Sequence, residues 1–195
     1  MDTVDESRTS SFSKPVPNVV LYHADCMDGF GAAWALWKRF PKAEYIPVKH
    51  GQPPPLSFDG KHVLMVDFSY ERKVIEEINR AAASFQILDH HVTAQAALDG
   101  LSYAYFDMKK SGAVLAWEWV HQEPPPWLLL YIQDKDLWEW RLPKSREINA
   151  ALASYPFDFE IWDELDRKTL EVEGHAILRL EGTLIEKIVE EAVLV

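Results

Sequence analysis

Residues 62–68 read His-Val-Leu-Met-Val-Asp-Phe, a nearly continuous apolar run closed by an acid. A strand with one wet face alternates apolar and polar side chains, because successive residues point to opposite sides. This run does not alternate. It reads as a strand buried on both faces, and such strands belong to sheets covered by helices on both sides. Two shorter runs fit beside it. Asn18–His23 is β-branched and aromatic, and Ser84–Leu88 leads directly into Asp89-His90-His91. The fold class these runs impose is α/β, with a mostly parallel sheet flanked by helices.

The segments between the runs carry helical spacing. Phe30, Ala33, Trp34, Trp37 and Phe40 recur at helical intervals, and Pro41 ends the series. Ser69 is placed to cap a second helix bearing Val74, Ile75, Ile78 and Ala81. Ser111 is placed to cap a third, with Val114, Leu115, Trp117 and Val120, stopped by Pro124-Pro125-Pro126. Glu44–Val48 makes a further strand, kept from the centre of the sheet by Pro47, and Tyr103–Phe106 another. Residues 127–132 suit either structure, but the prolines before them and their leucines favour helix. From Asp158 onward the pattern is helical and charged, with Ile177, Leu180, Leu184, Ile188 and Val189 on one side. Three parts are expected: a disordered tail over 1–17, an α/β domain over 18–157, and a helical linker or extension over 158–195.

Composition narrows the function. The single cysteine, Cys26, excludes an internal disulfide framework and fits a reducing cytoplasm. No apolar run approaches the ~20 residues of a membrane helix. The amino-terminal tail lacks an apolar signal segment. A net charge of −11 argues against a surface that grips long nucleic acid through its phosphates. It does not exclude a small phosphate ester held through metal ions, because a bound cation reverses the local sign of a site.

Four acidic or His/Asp clusters fall where strands or apolar runs end: His23/Asp25/Asp28, Asp67, Asp89/His90/His91 and Asp134/Asp136. The ends of parallel strands are where open α/β sheets place their ligands. Each cluster has a plainer explanation. Asp28 before Gly29 suits a turn or a helix cap, Asp67 suits a cap, Asp134 and Asp136 suit a solvated loop, and Asp-His-His suits a capped core pair. One shared site accounts for all four at once. Carboxylates outnumber imidazoles, which favours Mn²⁺ or Mg²⁺ over structural zinc. Two such ions, roughly 3.5–4 Å apart, can activate a water and brace in-line attack on phosphorus.

The series HADCMDG, VDFS, LDHH, KKSGAVLAWEW and YIQDKDLW, over about residues 18–142, resembles the DHH phosphoesterase superfamily. The resemblance implies a three-layer α/β domain, a site for two ions, usually Mn²⁺, and hydrolysis of small phosphate esters such as short oligonucleotides or nucleotides. Pyrophosphate or polyphosphate hydrolysis is the alternative within the same fold. By position, Asp67 would bridge the ions, with Asp28, His90 and Asp134 completing one shell and Asp136 as runner-up. His91 would contact the substrate phosphate or assist the leaving group, and Asp89 would orient the histidines.

The sequence departs from the family pattern at two places. Cys26 stands where the first motif's aspartate would fall. Asp25 entering through a bulge, Cys26 itself, or a weak first site are the options; Asp25 is preferred because a thiolate suits Mn²⁺ poorly. His23 and Asp25 complete the expected ligands. Nothing after residue 158 matches the family's glycine-rich second domain, so a minimal or non-catalytic binding module is a further alternative. Lys109, Lys110, the helix start at Ser111-Gly112, and Arg141, with Arg146 behind it, are candidates for substrate phosphate. The tryptophans near Trp138 and Trp140 suit a stacked base or ordinary packing. The apolar stripe from Ile177 to Val189 must either fold back on its own domain or pair with a second copy, and a two-fold homodimer is the preferred expectation.

Overall fold

The computed structural model describes residues 14–55 and 57–193. Strands β1 (Val19–His23), β2 (Glu44–Val48), β3 (His62–Val66), β4 (Ser84–Asp89) and β5 (Ala104–Phe106) form one sheet. Every neighbouring pair is parallel, and the order is β2-β1-β3-β4-β5. Pro47 lies in β2, at an edge where its missing N–H disturbs one ladder only.

Both faces of the sheet are covered, which explains the lack of alternation. Val19, Leu21, Val63, Met65 and Ile87 enter one core with Ile75 and Ile78 of α2 (Arg72–Ala81). Val20, Leu64, Val66 and Leu88 enter the other. There they meet α1 (Met27–Trp37), α4 (Gly112–Val120) and α5 (Trp127–Asp136) through Phe30, Val114 and Leu129. The helix expected over 127–132 forms and runs four residues further.

The chain leaves β1 for β2 on one side, then returns to place β3 on the other. That reversal opens a crevice at the carboxyl ends of β1 and β3, the usual ligand position in open parallel sheets.

Several local expectations need correction. Ser69 does not cap α2; the residue before that helix is Glu71, without a side-chain cap, and the Ser69 hydroxyl donates to Asp89 Oδ2 instead. The sequence pattern did not mark α3 (Val92–Ala97) or α6 (Ser145–Leu152). Of the tail expected over 1–17, residues 1–13 lie outside the described residues. Of the rest, Pro17 is buried and Lys14 lies 4.4 Å from the Trp119 ring, while Pro15 and Val16 are exposed.

Nor is residue 158 a packing boundary. Helix α7 (Phe159–Asp163) sets Trp162 into the core against Phe30, and α8 (Arg167–Val193) contributes Leu170, also fully buried. Beyond Ile177 the side chains of Leu180, Leu184, Ile185, Ile188 and Val189 are exposed. Among the described residues, no helix is long and apolar enough to cross a membrane.

Candidate metal centre

The carboxyl ends of β1, β3 and β4 deliver His23, Asp67 and Asp89-His90 to the crevice. Two glycines permit the close approach. A Cβ on Gly29 would stand 2.3 Å from the His23 carbonyl oxygen, and one on Gly112 would stand 2.5 Å from Asp67 Cβ. Asp67 itself has a left-handed backbone, φ 53°. That conformation is costly for a residue with a side chain and tends to gather at functional sites.

Three donor sets result, each with ligand atoms within 4.8 Å of one another: His23/Cys26/Asp67, Asp67/His90/His91 and Asp28/His90/Asp136. Asp67 and His90 are each shared by two sets. His90 Nε2 lies 3.1 Å from Asp67 Oδ1, 3.5 Å from Asp28 Oδ2 and 3.6 Å from Asp136 Oδ2. On the other side, Asp67 Oδ2 faces His23 Nδ1 at 3.6 Å, too far for a hydrogen bond. That oxygen is buried and has no hydrogen-bond partner among the described residues. A buried carboxylate oxygen left in this state is costly.

The electrostatics are those of an acidic cluster short of cations. Burial, then the charges of Asp67 and Asp136, push the Asp28 carboxyl well above the usual range. Burial likewise raises Asp136. Asp67 goes the other way: burial acts to raise it, but His23 and His90 outweigh burial and hold it low. The Asp67 carboxylate, aided by the Cys26 sulfur, lifts His23 to about 10. Burial opposes charge on His90, yet its hydrogen bond to Asp67 and the surrounding carboxylates raise it to about 9. Protonated imidazoles thus supply the positive charge that the carboxylates need. The unpartnered Asp67 oxygen and the convergent N/O donors fit divalent cations, which would supply that charge in their place.

Asp89 is fully buried and acts behind this cluster. Its Oδ1 receives the His91 Nδ1–H at 2.6 Å and the His90 backbone N–H at 2.7 Å. It therefore orients the His91 ring, but touches His90 only through the backbone. The Asp89 hydrogen bond raises the His91 pKa.

Other expected residues stand apart from the centre. Asp25 has its side chain 74% exposed and pairs with Lys49, so the bulge that would bring it in does not form; Cys26 takes the place beside His23 and Asp67. Asp134 is buried, but its two oxygens accept from the backbone N–H groups of Arg141 (2.8 Å) and Leu142 (3.2 Å). Asp136 is the acid of α5 that joins the donors.

The phosphate candidates are engaged or exposed. Lys110 pairs with Glu118 and Asp107, Lys109 is exposed, and Arg141 is exposed beside Glu139. Arg146 packs over Trp140. Ser111 does cap α4, its hydroxyl accepting from Val114 N–H. The free amides expected there are taken, however: Ser111 N–H donates to Gln133 Oε1, and Gly112 and Ala113 N–H to the Asp28 carboxylate. Asp28 thus occupies the anion site at the amino end of α4.

Some participants carried no expected role in the site. Ser69 and Gln133 are polar residues whose partners lie far along the chain. His50, with its ring centroid 5.7 Å from that of His23, sits just past the end of β2, and the parallel pairing of His23 with Val48 would have pointed to it.

No family model matches the sequence. Over 178 residues the chain is 35% identical to an uncharacterized protein of Acanthamoeba polyphaga mimivirus. The match covers 82% of this chain and 42% of the viral protein, so the chain spans less than half the length of that relative. The crystal structure of an uncharacterized protein from Helicobacter pylori resembles it with a TM-score of 0.59, over 83% of this chain and 61% of that one, at 13% identity. That likeness is one of fold.

Proposed function

We propose that the chain is a metal-dependent phosphoesterase of the DHH type, acting on small phosphate esters, with short oligonucleotides or nucleotides as the preferred class. The observation that carries this reading is the buried Asp67 carboxylate, shared between two donor sets and holding one oxygen without a hydrogen bond. Asp67, His90, Asp28 and Asp136, with His23 and Cys26, would hold Mn²⁺ or Mg²⁺. Bound there, such ions activate water and neutralise charge on a phosphoryl group.

The chain's own residues supply the rest. Asp89 fixes the His91 ring by taking its Nδ1 proton in a hydrogen bond and leaves Nε2 as the free nitrogen. A raised His91 pKa keeps a proton available for a leaving oxygen, the role of a general acid. Asp28, on α1, holds the start of α4 against its own helix while presenting an oxygen to His90.

One observation favours a second reading. Cys26, not a carboxylate, completes the set with His23 and Asp67. A sulfur donor weakens that position for Mn²⁺, as in a binding module without turnover. Mn²⁺ titration by calorimetry, run beside hydrolysis of a panel of a dinucleotide, a nucleoside monophosphate and pyrophosphate, separates the readings. Mn²⁺-dependent turnover supports the phosphoesterase, and the preferred substrate sets its class. Binding without turnover supports the module, and no binding removes both. The apolar stripe of α8 is assigned to a second copy of the chain.

A further inference from the structure

Beside the donor cluster lies an open cleft of about 240 Å³ whose wall includes Asp28, Asp136, Ile132, Lys135 and Trp138. It brings together three chemistries: the acids of the candidate metal centre, a cation, and a flat apolar ring. The Lys135 ammonium makes no ion pair within 4 Å among the described residues. Trp138 is 75% exposed, the most exposed of the large apolar side chains described.

This exposure is built into the backbone. Trp138 and Trp140 both have left-handed φ, 57° and 54°, which bulky residues seldom adopt. The turn is tied at four points to one residue. Glu139 and Trp140 donate to the Asp134 carbonyl oxygen, and Arg141 and Leu142 donate to its carboxylate. Trp140 braces Trp138 edge-to-face at 5.3 Å and is itself covered by Arg146 at 4.8 Å. Asp134 thus acts as the anchor of a rigid turn that holds an indole in solvent beside the acids.

We infer that Trp138 is a specificity-determining residue: it stacks on the nucleobase of a nucleotide substrate whose phosphate lies toward Asp28 and Asp136, while Lys135 meets a phosphate oxygen. The inference rests on the phosphoesterase reading and deepens it. An aromatic face is sequence-tolerant and suits any base. Inorganic pyrophosphate has no group that would use it.

The test compares a diadenylate with its abasic counterpart, identical in sugar and phosphate, in the presence of Mn²⁺. Trp138→Ala should lower the ratio of kcat/KM for diadenylate over the abasic ester about tenfold, at the low end for loss of a stacking aromatic, and through KM. Trp138→Phe should restore most of that ratio. Lys135→Met should lower kcat/KM for both esters together. An unchanged ratio in Trp138→Ala overturns the inference while leaving phosphoesterase activity intact. If the wild type hydrolyses neither ester, the dinucleotide class is excluded and the stack is read by fluorescence. Saturable quenching by AMP in the wild type that is reduced in Trp138→Phe supports the stacking site. Equal quenching in both proteins, or none in either, overturns it.

Discussion

Asp67 serves His90 with one oxygen and faces His23 with the other, so its loss disturbs both halves of the centre. Asp67→Ala should therefore bring Mn²⁺-dependent hydrolysis to background. Cys26→Ala should be intermediate, touching one set only. Asp25→Ala should stay within about twofold of the wild type, as for an ordinary surface substitution. Steady-state kinetics on the three purified variants checks this order, and near-normal turnover by Asp67→Ala contradicts it.

The histidines give a pH dependence of defined sign. His23 and His90 have folded pKa values of about 10 and about 9, above the ~6.5 of an unfolded histidine. Their contribution to stability is complete below about pH 6.5 and is lost as pH rises through 9 to 10. Asp28, raised by burial, loses stability in the same direction, while Asp67, held low, loses its contribution only in acid. Metal-free protein should thus become easier to unfold in urea from pH 6.5 to 10. A metal-free stability that rises over that range would speak against this charge arrangement.

The same scale shows what could be read from sequence. Asp67, Asp28, His90 and Asp89 were legible because each follows a strand or opens a helix at the sheet's carboxyl edge. Asp134 and Asp136 were not separable by that logic. A helix turns roughly 200° over two residues, so one acid faces the donors and the other faces the turn at 139–142. Only the phase of α5 decides which. Cys26 displaced Asp25 for a similar reason: Asp25 has a left-handed backbone and points to Lys49.

Among the elements, α4 and α8 are each set by one glycine with a different duty. At Gly112 a Cβ would meet Asp67 Cβ at 2.5 Å, so Gly112→Ala should displace the shared carboxylate. Both Mn²⁺ affinity and thermal midpoint should fall, with destabilisation of about 1–3 kcal/mol as in other overpacked sites. At Gly174 a Cβ would stand 1.7 Å from the Glu147 carbonyl oxygen, where α8 lies on α6. Gly174→Ala should lower the midpoint at least as much, yet leave Mn²⁺ affinity per folded molecule unchanged. Calorimetry with differential scanning separates the two.

The capped start of α4 was legible, since Ser111 stands directly before the apolar spacing. Helix α3 was not, because none of its residues is buried and no periodic face marks it. Helix α6 follows a left-handed Lys144, a break that its composition does not announce.

For the whole molecule, unbroken apolar runs revealed a sheet covered on both faces. They could not reveal the strand order, which depends on the side of β1 to which each crossover returns. The projecting part of α8 carries Leu180, Leu184 and Ile188 at intervals of four, all exposed. Burying such side chains stabilises by about 1.5–3 kcal/mol each, and paired helices are the simplest cover. Sedimentation at micromolar concentration should find a dimer, and Leu184→Glu should dissociate it. A monomeric wild type would contradict the assignment without touching the metal centre.

The crevice between β1 and β3 gathers donors from residues 23, 67, 90 and 136, which lie in four separate segments of the chain. An unfolded chain cannot bring them together, so an ion that binds there binds the folded form alone. Affinity then appears directly as stability: free Mn²⁺ at a hundred times its Kd should add about 2.7 kcal/mol. At about 2–4 °C per kcal/mol for a chain of this size, the thermal midpoint should climb by roughly 5–10 °C and keep rising with the logarithm of ion concentration. A melting curve can therefore report the affinity of the centre without a substrate.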